Sequence, residues 1–159
     1  MTTTTLTRAL VGAAITLAAI SLSGCSLISG ALSGEDDVFT LKAGDCMNDY
    51  GDETEVATVP TVDCAKPHDY EIYSVATIDG EEYPGATDID TQADTLCLGE
   101  FEGFVGLSFD ESIYYYSYLT PSEQSWASGD REVICTIAKY DEDSAAIIQV
   151  TGSLEGVAE

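Results

Sequence analysis

Five cysteines, Cys25, Cys46, Cys64, Cys97 and Cys135, limit what this chain can fold into more than any other feature. Cys25 closes an apolar run near the start, and the other four are spread widely over the rest. Two uses compete for four such residues. A tetrahedral metal site wants closely spaced pairs, but no C-x-x-C occurs and His68 is the single histidine, so no metal is expected. Disulfides ask only for an even number and an oxidising compartment. Four cysteines allow three connectivities, and the count alone leaves them open.

The compartment follows from the first 25 residues. Met1 to Arg8 carries no acid, and Ala9 to Leu22 is a nearly unbroken apolar run of about 14 residues, short of the roughly 20 that a spanning helix needs. It reads as the core of an export signal. The run ends in Leu22, Ser23, Gly24 and Cys25, which resembles the lipobox of bacterial lipoproteins. That resemblance implies removal of residues 1–24, a diacylglyceryl group on the Cys25 sulfur, and a place on the outer side of the cytoplasmic membrane. Two or more acyl chains, at about 0.8 kcal/mol per buried CH₂, hold a protein stably without a polybasic segment. Setting Cys25 aside for lipid leaves an even four.

All 29 acids lie after the leader, against only Lys42, Lys66, Arg131 and Lys139, and the whole chain carries a formal net charge of −24. Counterion release from phosphates needs clustered bases, so nucleic acid is excluded as a partner. Anionic head groups repel the domain as well, leaving the lipid as its membrane contact. The small-residue stretch from Ser26 to Gly34 and the acids Glu35, Asp36 and Asp37 read as a flexible linker, so the expected organisation is leader 1–24, lipidated N-terminus and linker 25–37, and domain 38–159. Roughly 120 residues suit one core.

Within that domain, residues 68–77 are rich in aromatic and β-branched side chains and read as a strand, with 56–62 as a partner pushed to an edge by Pro60. If the strand period begins at His68, then His68, Tyr70 and Ile72 share a side and Asp69 opposes them. Ala93, Leu96, Cys97, Phe101, Phe104 and Val105 recur at helical spacing, predicting a helix over 90–105. Residues 114–119 and 132–138 are further strands, with Val133, Cys135 and Ile137 on one face. Between them Thr120 to Glu123 carries a capping-box pattern with Pro121 at the first helical position, and Gly129 supplies a stop. The expected fold is α+β: a small, mostly antiparallel sheet with one long helix packed on a face and two disulfides.

Taken in order, Gly44 to Cys46, Val62 to Glu71, Tyr83 to Gly85, Cys97, Phe101 to Gly106, Pro121 to Trp126 and Gly129 to Cys135 resemble the septum-formation domain of actinobacterial envelope proteins. The resemblance covers nearly the whole domain, while Asp141 to Asp143 looks individual to this chain. It implies a lipid-anchored or membrane-tethered envelope protein associated with the division septum. The family's cysteines fall on Cys46, Cys64, Cys97 and Cys135, which favours sequential pairing, Cys46 with Cys64 and Cys97 with Cys135.

A histidine beside carboxylates, as in Pro67 to Glu71, suggests a general base, but a strand holding His68 and Asp69 on opposite faces argues for a structural or partner-contact role. No serine sits in G-x-S-x-G, and paired cysteines leave no thiol nucleophile. Among 29 acids a glycosidase pair cannot be singled out. Asp88, Asp90 and Asp94 hint at calcium, yet Gln92, Ala93 and Gly99 fill places where an EF-hand loop needs other residues, so these acids read as helix-entry charges. Tyr114, Tyr116, Tyr118 and Trp126 fill the core or, with His68, contact a partner. The expected function is a non-enzymatic interaction module of the cell envelope, without cofactor, binding an envelope protein. An envelope enzyme acting on wall polymers is the alternative.

Overall fold

β-Branched and aromatic side chains concentrate in two runs, which become the long central strands β4 (Tyr70–Thr77) and β6 (Glu132–Asp141). The computed structural model describes residues 35–51, 56–141 and 143–159, so the leader, Cys25 and linker residues 26–34 lie outside it. Around the central pair are β1 (Glu35–Asp37), β2 (Cys46–Met47), β3 (Thr58–Val62), β5 (Tyr114–Leu119) and β7 (Ala146–Ile148). The spatial order is β1-β3-β2-β4-β6-β5, with β7 also on β6, and each of these pairings is antiparallel.

One long helix, α1 (Ala86–Val105), covers a face of this sheet. Ile89, Ala93, Cys97, Phe101 and Val105 recur every fourth residue and are buried against Tyr73, Tyr114, Val133, Cys135 and Ile137. Full burial of a side chain the size of Phe101 contributes about 1.5–3 kcal/mol. Gly106 ends the helix in the left-handed region (φ +88°) and donates its N–H to the Glu102 carbonyl at 2.9 Å. The α+β architecture is the one expected from the sequence.

The sheet's other face is built differently. A bulge between Ile72 and Ser74 shifts the register of β4 on β6, so Ile72 and Val75 share this face while Tyr73 and Ala76 look toward α1. The sheet curls, and Val38, Leu41, Met47 and Val59 pack onto Ile72 and Ile134. Both disulfides lie on the α1 side of the sheet: Cys97 joins α1 to β6 with Cα atoms 5.4 Å apart, and Cys46, paired with Glu71 and so facing away from Met47 and Ile72, joins β2 to the turn at Cys64 across 5.3 Å.

Four local expectations are corrected. Residues 56–62, expected to pair with the 68–77 strand at a sheet edge, form β3, which lies between β1 and β2, because the two-residue β2 intervenes and pairs with both β3 and β4. Glu35 to Asp37, assigned to the linker, form β1 opposite Pro60, Val59 and Thr58, because backbone pairing and the Thr61 hydroxyl bond to Asp36 (2.6 Å) outweigh the poor strand propensity of acids. The short helix α2 (Glu123–Ala127) is capped by Ser122, two residues after Thr120. Its capping box is Ser122 with Ser125, whose hydroxyl also donates to Asp130 at 2.8 Å, a contact that fixes the start later than local spacing implies. Finally, β4 begins at Tyr70, so the period-2 pattern does not reach back to His68.

Candidate functional site

His68 and Glu71 hold the C-terminal segment. The chain bends at Asp69, and the His68 backbone exchanges two 3.0 Å hydrogen bonds with Val150. Its ring is 0% exposed and lies within 4.8 Å of a Glu71 carboxyl oxygen and Cys46 Sγ, on the side away from Tyr70 and Ile72. Nδ1 faces the Lys66 carbonyl at 2.9 Å, and since a carbonyl only accepts, Nδ1 carries the proton. Nε2 is buried without a hydrogen-bond partner among the described residues. Both Glu71 oxygens are engaged: Oε1 accepts from the Ser153 hydroxyl (2.7 Å) and Oε2 from the Leu154 N–H (2.6 Å). Cys46 Sγ is bonded to Cys64 and offers no thiolate, so this triad lacks the free donors of a metal site. Asp69 turns outward and accepts from the Asp49 N–H. His68 is therefore no surface contact; burial removes it from a partner's reach.

Trp126 forms a second knot. It is 3% exposed, its indole N–H donates to the Glu81 carbonyl at 3.3 Å, and the Arg131 guanidinium stacks 3.7 Å over the ring. Arg131 also donates to the Gly80 and Trp126 carbonyls. Gly80 approaches so closely that a Cβ there would lie 3.3 Å from the indole, with φ at +147°. These contacts give a structural reason for the residue types between Gly129 and Arg131 and for Trp126. Trp126 and the equally buried Tyr114 are core, and their assignment as partner contacts is corrected on the same ground.

Tyr116 and Tyr118 are half-buried beside α1. The Tyr116 hydroxyl donates to Asp94 at 2.7 Å; burial first, then that bond and its charge, push the phenol up to about 12. Burial, with Asp90 and Asp94 behind it, also raises Tyr118. Asp94 thus orients a tyrosine, while Asp88 stands in the first turn of α1.

On the face away from α1 the covering is incomplete. A groove of about 580 Å³ opens between the 3₁₀ turn Val38–Thr40, the end of β5, α2 and the start of β6. Phe39 (58% exposed), Tyr50, Val56, Leu119 and Ile134 form its apolar wall, and Ser122, Gln124, Asp130 and Glu132 its polar side. Among the described residues no Lys or Arg lines it. Sequence reasoning missed this site. Phe39 sits among linker-like acids, and only its isolation as a lone aromatic outside any apolar period could have marked it.

The sequence model for septum formation matches the chain over residues 21–106 and 43–159, beyond half its length. The chain belongs to the septum formation family. No curated protein and no solved structure matches this family member. The family description ties it to cell division and the envelope.

Proposed function

We propose that this septum formation family member is a non-enzymatic, lipid-anchored binding module on the outer side of the cytoplasmic membrane, acting where the septum is built. The observation that carries the reading is the groove, because a large aromatic side chain at its mouth, Phe39, is left in water at 58% exposure. A general-base histidine must reach its substrate, and the complete burial of His68 takes that candidate away from the enzyme reading and supports binding. The apolar leader ending at Cys25 supports the anchor.

Two experiments test the reading. Replacing Cys25 with Ala should abolish incorporation of labelled fatty acid, and label persisting in the variant would remove the anchor from the proposal. A photocrosslinking amino acid at position 39 should capture an envelope protein in living cells, whereas the same probe at exposed Leu98, on the outer side of α1, should not. Equal capture at both positions, or hydrolysis of wall polymer by purified protein, would overturn the binding reading.

A further inference from the structure

We infer that the groove and the free edge of β5 together take an extended, basic peptide segment of a partner protein, added as a strand with an apolar side chain seated against Phe39. The inference rests on the binding reading above and names the chemistry of the occupant. Three observations converge on it.

The first is the backbone. Among the described residues β5 ends the strand order of the sheet and pairs with β6 alone. The Tyr114 N–H goes to Ser112 Oγ at 3.1 Å and so does not point at β6. By the alternation of an antiparallel strand, Tyr116 and Tyr118 then direct their N–H and C=O groups to the same open side. The chain's own Glu159 covers only the approach to that edge, accepting from the Ile113 N–H. An uncharged edge of aromatic residues is the kind of template to which extended peptides add. At the opposite end of the sheet, β1 consists of three acids.

The second is the groove, whose wall takes in Tyr118 and Leu119 at the end of β5 together with Phe39, so a strand running along that edge meets the mouth of the groove at Leu119. The third is charge. Asp130 and Glu132 lie at the groove, and the whole chain carries −24. Arg131, the nearest base, is held by the Trp126 ring and the carbonyls of Gly80, Trp126 and Asp130. This field opposes a second copy of the chain and attracts lysine and arginine.

The probe is a fluorescent peptide of alternating lysine and valine, about six residues long as strands usually are, with a glutamate–valine peptide and a proline-interrupted lysine–valine peptide as controls. With the full chain in nonionic detergent, the basic peptide should bind, weaken with salt, and slow amide exchange at Tyr116 and Tyr118. Phe39→Ser should weaken binding about tenfold, as loss of an aromatic anchor does, without lowering the melting temperature. Glu132→Lys should slow association. Equal binding of all three peptides, protection outside β5, or an unchanged affinity in Phe39→Ser would overturn the proposal. Protection of β5 that grows with protein concentration alone would assign the edge to a second copy, and tight binding of a peptide of residues 26–34 would assign it to the chain's own linker. Each outcome refutes a basic partner. Capture at position 39 in cells with no peptide binding leaves the binding module standing and removes the strand. Peptide binding without capture in cells does the reverse.

Discussion

The two faces of one sheet are closed to different degrees. Toward α1, a helix of 20 residues lays a continuous apolar stripe over β4, β5 and β6, and the tail adds Leu154 to the same core. Toward the groove, short elements and a 3₁₀ turn supply the cover, and Phe39 is left outside. A face closed by one long element is redundant, each contact being backed by its neighbours in the stripe. A face closed by short pieces leaves gaps at their ends, and gaps are where a partner's side chain finds unfilled apolar surface. On the proposed reading, stability and recognition are segregated to opposite sides of the sheet.

Both disulfides brace the closed side, so removing them one at a time should have the largest effects on stability. Cys97 and Cys135 are 38 residues apart, and opening that ring by paired replacement with Ala should cost about 4 kcal/mol through the unfolded chain, with a further penalty for the cavity left in a fully buried site. The Cys46 and Cys64 pair spans 18 residues and should cost about 3 kcal/mol. Urea unfolding of the two double variants checks this. Equal midpoints would mean that the longer ring and its fully buried site tie the closed side no better than the shorter ring does.

Glu71 tests how the tail contributes to the closed face. Replacing it with Ala strands the buried Leu154 N–H, and a loss of about 2 kcal/mol is expected. Hydrogen exchange should then rise first at Gly156 and Ala158, whose N–H groups donate to Phe104 and Val105 at the end of α1. Uniform loss of protection across the domain would show that the tail has no separate opening step.

How much of this was legible in the sequence depends on element length. The runs that became β4, β5, β6 and α1 are long enough for residue types to mark them as strand or helix, but the neighbour of β4 was not legible: 56–62 was expected there, and the two-residue β2 stands between. β2 has two residues and β7 three, too few to show any period, and β1 is written entirely in acids. The role of Glu71 was hidden because its partner, Leu154, lies 83 residues away and is bonded through its backbone, which has no sequence signature. His68 drew attention for its chemistry and proved to be architecture. Phe39 drew none, since an exposed aromatic on a short turn differs from a buried one only in what the distant chain fails to place over it.

Alkaline pH should loosen the closed face by a smaller amount. Burial holds the Tyr73 and Tyr116 phenols protonated above the ordinary value of 10.0, to about 12 for Tyr116. A folded value above the unfolded one means that the stability is complete below pH 10 and is lost as pH rises through the folded values. Asp94→Asn removes the charge that assists the shift at Tyr116, so its phenolate absorbance should appear at lower pH, with a cost near neutrality of about 1 kcal/mol or less. An unmoved phenolate curve would mean that burial alone sets the value.

The smallest expected change in stability is at Phe39, and it discriminates best between the faces. A side chain 58% exposed contributes little to the folded state, so Phe39→Ser should alter unfolding free energy by about 0.5 kcal/mol or less. The comparable truncation on the other face, Phe101→Ala, should cost about 3–5 kcal/mol, because Phe101 is fully buried and meets Tyr73, Phe109 and Tyr116. Binding should follow the reverse order: loss at position 39, and at position 101 retention for as long as the domain stays folded. Measuring both quantities on both variants separates a residue kept for packing from one kept for contact. If Phe39→Ser destabilised the domain as Phe101→Ala does, Phe39 would be closing the second face rather than offering it, and the groove would be a packing gap with no claim to a partner.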